Sequence, residues 1–295
     1  MYTNNNLFNP YRDFVDIESL EKEIKEEAKN SKYFSTFRDI SIYGTFLEFD
    51  TRIFKKKSVA IKGFSIPDKK NIVDISECLK HFLRILIKDN IKFIACKIHH
   101  DDIDVVHVFE NAGFNVINCQ QQYRFDFSRE EIPQLNEPCH IRMGDTQDAE
   151  KIAKLSRECF KTHFDRFHSD PFLDNSDCDD LHEKWGRNSF SGFADAVMIA
   201  EIDGNIAGFT TLKENGELNK HSTKKIGDLV LLGVDPKYRK LGIHTTMVRH
   251  GLLYWKEKAD IAEIVTEANN IPTLRTYLKL GFKPSSCFMA MHKHL

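Results

Sequence analysis

The stretch Val234 to Val248, V-D-P-K-Y-R-K-L-G-I-H-T-T-M-V, holds the densest chemistry in this chain. An apolar strand ends in it, a turn at Asp235-Pro236 follows, and the basic pair Arg239-Lys240 and Gly242 stand just ahead of a helix. That order leaves backbone N–H groups without intrahelical partners at the positive end of the helix, an arrangement that suits a pyrophosphate. Arg239 and Lys240 add mobile positive charge beside the same groups. The same residues would also make an ordinary strand-to-helix turn with surface cations, because short glycine motifs recur by chance.

The elements around this stretch must position it. Asp228 to Val234 reads as a buried strand, Gly242 to Lys256 as a helix and Ile261 to Val265 as a second strand. Ile271 to Lys279 is a further helix that ends at Gly281-Phe282, before a closing strand. A glycine there can take the left-handed conformation while the following Phe packs back on the helix. Upstream, His140 to Met143 is a short strand, Asp145 to Phe160 a helix and Ser176 to Phe190 a second helical stretch. Val197 to Ile202 and Ile206 to Leu212 form a hairpin across Asp203-Gly204-Asn205. Lys213 to Lys225 is polar and reads as a loop.

The first half repeats the order: a helix from Ile75 to Lys88, a strand from Ile91 to Ile98, a helix from Asp102 to Asn111, then Gly113-Phe114 and a strand through Phe127. Gly113 and Gly281 lie 168 positions apart, and at that offset the elements superpose without gaps. The segment Pro133 to Pro138 is the natural linker. The expectation is therefore an α/β (α+β) chain of two mixed-sheet domains, residues 1–132 and 139–295, made by duplication of one fold.

Composition narrows the function. With 295 residues, 41% hydrophobic and 29% charged, the chain can bury two cores. Its formal net charge of -2 gives no basic excess for binding nucleic acid through phosphate. No apolar run reaches the roughly 20 residues that span a bilayer, and the polar, Asn-rich start, Met1 to Pro10, is not expected to be a secretory signal. The seven cysteines form no C-x-x-C pair, so no metal site and no disulfide framework is expected, and reduced thiols in a cytoplasmic protein follow.

Val234-Asp235-Pro236, Tyr238-Arg239 and Gly242-Ile243 resemble the acyl-CoA signature of the GNAT superfamily of N-acetyltransferases, R-x-x-G-x-G/A after a V-x-P strand end. Asn270, Thr273, Tyr277, Gly281 and Phe282 resemble its downstream signature, N-x-x-A-x-x-x-Y-x-x-x-G-F. One departure is His244, where the family has Gly or Ala; its side chain would crowd the pyrophosphate or hydrogen-bond it. The resemblance implies acetyl-CoA as co-substrate, no metal, and entry between the splayed ends of the fourth and fifth strands. Pantetheine would pair with the fourth strand around Leu232 to Val234, and Arg239, Lys240, Gly242, His244, Thr245 and Asn270 would hold the rest of CoA. Tyr277 would be the general acid that protonates the departing sulfur; otherwise it is a core aromatic under Gly281-Phe282. The general base stays open among Asp228, His163, His168 and His221.

At the same offset Tyr277 corresponds to Phe109, Asn270 to Asp102 and Gly242 to Asp74, so the first half is expected to lack a CoA site and to brace the active domain or wall its acceptor cleft. A degenerate first half before an active domain resembles sugar N-acetyltransferases of the dTDP-fucosamine acetyltransferase kind. Leu47 to Thr51, Arg166-Phe167, Asp170-Pro171 and Trp185 add to that likeness. It implies a nucleotide-linked amino-deoxysugar as acceptor, with Arg166, His168 and Trp185 touching it, and it allows a homodimer. Another small amine (an antibiotic, a polyamine or an amino acid) and a non-catalytic CoA-binding scaffold are the alternatives.

Overall fold

The computed structural model describes residues 11, 13–65 and 72–295, so the expectation for Met1 to Pro10 lies outside the described residues. The chain divides into two units, and the division is not a single cut. The first holds residues up to Gln120 with Asp165–Leu173 and Ser286–Leu295; the second holds Gln121–Phe164 and Asp174–Ser285. The expected boundary therefore shifts. Pro133, Gln134 and Glu137 all belong to the second unit, where Arg249 donates to the Pro133 carbonyl at 2.8 Å, to Gln134 at 3.2 Å and to Glu137 at 2.6 Å. A segment bonded in this way is part of the domain, not a free linker.

In the first unit the elements run α1 (Ile17–Asn30), β1 (Tyr33–Phe37), β2 (Ile40–Phe46), α2 (Glu48–Phe54), β3 (Ser58–Ser65), α3 (Ile72–Lys88), β4 (Phe93–His99), α4 (Ile103–Asn111) and the start of β5 (Asn115–Asp126). α3 buries Ile75, Leu79, Phe82 and Leu86, a spacing of three and four residues that puts one helical stripe on the sheet. β3 and β4 are parallel, as a strand–helix–strand crossover requires. The last strand of the chain, β11 (Lys283–His294), supplies Phe288–His294 to this unit as the antiparallel partner of β4.

The second unit contains β6 (His140–Met143), α5 (Ala149–Phe160), α6 (Asn175–Asn188), β7 (Ala196–Ile202), β8 (Asn205–Glu214), α7 (Gly216–Asn219), β9 (Ile226–Val234), α8 (Ile243–Lys256), β10 (Ile261–Glu267) and α9 (Ile271–Lys279). Its strand order is β5-β10-β9-β8-β7-β6. The β7–β8 turn consists of Asp203 and Gly204, both at positive φ, which is the two-residue hairpin form that follows the twist of the strands. The polar segment read as a loop instead extends β8 to Glu214 and forms the short α7.

The duplication holds element by element: β4 and β10, α4 and α9, and β5 and β11 each have bounds 168 residues apart. Both Gly-Phe pairs close their helices in the same way. Gly113 and Gly281 take φ +82 and +96, and the Phe114 and Phe282 amides donate to the Phe109 and Tyr277 carbonyls at 3.0 Å. The following Phe then packs against the residue whose carbonyl it bonds, with ring centroids 4.8 Å apart for Phe109–Phe114 and 5.7 Å for Tyr277–Phe282. Among the described residues no helix is long and apolar enough to cross a membrane.

Candidate active site

β9 and β10 run parallel and pair from Ile226 opposite Ile261 to Leu229 opposite Ile264, where the ladder ends. β9 continues to Val234 and β10 to Glu267, so the two strands part at their C-terminal ends. The parting coincides with an extra residue in β9. Leu229 and Leu232 oppose Leu212 and Thr210 of β8, three steps against two. Such a bulge bends the strand and increases its twist. The Leu231 amide, displaced from the ladder, donates to Oγ1 of Thr211 at 3.0 Å, so a buried hydroxyl satisfies a buried donor. Above the bulge β9 stays bonded to β8 on one side and turns its other edge toward the opening. Leu232 and Val234, the residues expected to pair with pantetheine, lie on this stretch and pack against Ile243 and Met247 of α8.

The loop after β9 holds two residues at positive φ. Asp235 accepts from the Lys237 amide at 2.8 Å and starts a single 3-10 turn. Lys240 takes φ +68 and Gly242 φ +89. A left-handed lysine costs roughly 1–2 kcal/mol and persists only where its surroundings impose it. α8 begins with a bond from the Thr246 amide to the Gly242 carbonyl at 3.0 Å, and Gly242 offers no capping side chain. The amides of Ile243, His244 and Thr245 therefore face outward from the positive end of a 14-residue helix, which fits a pyrophosphate. Arg239 is already engaged. It donates to the carbonyls of Val234 at 3.3 Å and Cys159 at 3.1 Å, tying the end of β9 to the end of α5. It holds the loop in shape as well as supplying charge.

Three elements carry titratable side chains near this loop. Tyr277 is 3% exposed on α9, and burial above all, with Glu267 and Tyr123 next, pushes its phenol well above the usual tyrosine range. No described residue hydrogen-bonds its hydroxyl. The ring of His244 stacks on it with centroids 5.9 Å apart, so His244 turns toward Tyr277 rather than across the amides. Burial pushes His244 down to about 4, and the ring is neutral at neutral pH. At the open end of β10, Glu267 bonds Nε2 of His163 at 3.0 Å, and His163 is held between Phe160 and Phe164. Glu267 was absent from the sequence expectations. Its signal was a carboxylate three residues before Asn270, legible only once β10 is known to end there.

The other expected residues are distributed less evenly. Asn270 stands at the N-terminal boundary of α9 without capping it and donates instead to Thr266 at 3.2 Å. Asp228 opposes Glu263 on the closed part of the β9–β10 ladder, and burial, then Glu263, raises its carboxyl well above the usual range. His221 follows α7, before β9 begins. Arg166 and His168 belong to the first unit and Trp185 to the second. Arg166 lies over the Phe167 ring at 4.5 Å, His168 bonds Asp165 at 2.6 Å, and Trp185 packs with Ile152 and Ile199 against the sheet. In the first unit, Asp74 stands where the glycine of the second would be and pairs with Arg38 at 2.8 Å, while Asp102 and Phe109 are fully buried.

The profile described as "Acetyltransferase (GNAT) family" matches residues 150–282. A mycothiol acetyltransferase of Acidothermus cellulolyticus is 30% identical over 114 residues, 36% of this chain and 34% of its own. The match thus spans about a third of that relative's length. A spore coat polysaccharide biosynthesis protein of Bacillus subtilis is 21% identical over 82% of this chain and 80% of its own. Among solved structures, a GCN5-related N-acetyltransferase of Sphaerobacter thermophilus superposes with a TM-score of 0.60 at 12% identity, over 87% of this chain and 76% of that one, a likeness of fold.

Proposed function

We propose that the chain moves the acetyl group of acetyl-CoA onto a primary amine, the amino group of a nucleotide-linked amino-deoxysugar, a reading supported by the match of residues 150–282 to the acetyltransferase (GNAT) family profile. One observation carries the chemistry. The opening between β9 and β10 has a phenol kept protonated by burial on one element and a histidine–carboxylate pair at the end of another. An ammonium must lose a proton before its nitrogen can attack a thioester, and the departing sulfur leaves more readily with a proton. The His163–Glu267 pair takes the first, and Tyr277 gives the second. The amides of Ile243 to Thr245, with Lys240 and Arg239, hold the diphosphate of CoA; the free edge of β9 at Leu232 to Val234 orients its pantetheine arm, with Asn270 beside it.

The acceptor class rests on a different support. The spore coat polysaccharide protein matches along both units rather than the catalytic domain alone, as a shared acceptor chemistry would require. Within the second unit Trp185 is the acceptor-side candidate. The test is mass-spectrometric detection of N-acetylated product from acetyl-CoA and a panel of amino-deoxysugar nucleotides, polyamines, aminoglycosides and amino acids. The expected result is turnover with the sugar nucleotides. Turnover confined to another amine would overturn the acceptor assignment and leave acetyl transfer standing.

A further inference from the structure

Cys119 on β5 and Cys287 on β11 both belong to the first unit, and their sulfurs lie 3.1 Å apart. The two strands are neighbours in the sheet. Their positions differ by 168, the repeat offset, so each cysteine is the other's counterpart in the duplication. A disulfide bond is about 2.05 Å long, and about 1 Å of approach by side-chain rotation would close it. Cys287 is already fixed from the other side, because the His100 amide at the end of β4 donates to its carbonyl at 3.1 Å. Both cysteines are half-buried, whereas Cys78, Cys96, Cys159 and Cys178 are buried.

We propose that Cys119 and Cys287 form a redox-modifiable pair that closes to a disulfide by exchange with a low-molecular-weight disulfide. In the first step the Cys119 thiolate attacks one sulfur of the small disulfide, forming a mixed disulfide and releasing one small thiol. In the second, Cys287 loses its proton and attacks the Cys119 sulfur, the protein disulfide forms, and a second small thiol leaves. Two protein thiols are oxidised and one small disulfide is reduced to two thiols. Burial, with the hydrogen bond to Cys119 next, pushes the Cys287 thiol up to about 12, so Cys287 attacks second and the closure quickens as pH rises.

The place of the bond gives it a consequence. The chain leaves the first unit after Gln120 and returns to it at Ser286, apart from the short Asp165–Leu173 segment. A bond between residues 119 and 287 joins the point of departure to the point of return, closing a loop that contains every residue of the second unit. A cross-link closing so long a loop removes much of the unfolded chain's freedom and stabilises the fold.

The test treats the full chain with oxidised glutathione, then counts free thiols and maps cross-linked peptides. The expected result is the loss of two thiols without retained glutathione, a Cys119–Cys287 linked peptide, reversal by dithiothreitol and a higher melting temperature for the oxidised form. Cys287→Ala should instead trap a stable glutathione adduct on Cys119. Stable adducts on either cysteine of the unaltered chain, a linkage between other cysteines, or no loss of thiols would each overturn the proposal. The peptide map of the unaltered chain decides it whether or not the variant folds.

Discussion

The carboxylate of Glu267 lies 3.0 Å from Nε2 of His163, joining the open end of β10 to the turn after α5 across 104 residues of sequence. Side-chain exposures of 22% for His163 and 9% for Glu267 leave the pair reachable but partly shielded. If it collects the amine's proton, Glu267→Gln should lower kcat by about 100- to 10,000-fold while the KM for acetyl-CoA stays unchanged. The melting temperature should move little, because Gln keeps the shape of Glu267 and a group that can still hydrogen-bond His163. Steady-state kinetics and a thermal melt check both halves, and a wild-type kcat would remove the pair from the mechanism.

Tyr277→Phe should fold, bind acetyl-CoA and lose turnover. The Phe keeps the ring that packs on His244, Tyr123 and Phe282, and the first unit already carries Phe109 at the equivalent place. Only the hydroxyl goes. A drop of about 100-fold or more in kcat with unchanged CoA affinity is the expected outcome; full activity with the best acceptor would make Tyr277 a packing residue.

Arg239→Ala should weaken CoA binding and also lower the melting temperature. The guanidinium ties the Val234 and Cys159 carbonyls, so its loss loosens the loop whose amides are proposed to meet the diphosphate. A charge-assisted contact is worth about 1.5–3 kcal/mol, a fall in affinity that calorimetry resolves. Unchanged affinity with a lowered melting temperature would confine Arg239 to bracing.

Much of the fold was legible because it is local. The helix over Ile271–Lys279 follows from its apolar spacing and from Gly281, and the β7–β8 hairpin follows from Asp203-Gly204. The repeat offset places three pairs of elements to the residue. What sequence could not show is non-local. Alternation along β11 marks a strand but not its partner, so the assignment of Ser286–Leu295 to the first unit through pairing with β4 was unreadable. The segment Pro133 to Pro138 reads as a linker in sequence for a related reason. Proline and polar residues signal irregular chain, and only the fold reveals that Arg249 holds it. In the site, the motifs marked the loop and Tyr277, but the His163–Glu267 pair depends on two strands parting at a bulge.

His244 gives a pH dependence. Burial lowers it from 6.5 to about 4, so between those values the unfolded chain binds a proton that the folded chain does not. The stability this residue contributes is complete above pH 6.5 and is lost as pH falls toward 4. His244→Gln, neutral throughout, should flatten that part of the melting-temperature profile. Parallel profiles for variant and wild type would show that the ring is solvated and free to charge.

Acetyl transfer in the opening between β9 and β10 is tested most directly by the release of CoA thiol from acetyl-CoA as amine is titrated in. The expected result is a rate that rises from the hydrolysis background to saturation with an amino-deoxysugar nucleotide, one thiol appearing per N-acetylated product. Binding of acetyl-CoA with thiol release fixed at background, whichever amine is offered, would contradict it.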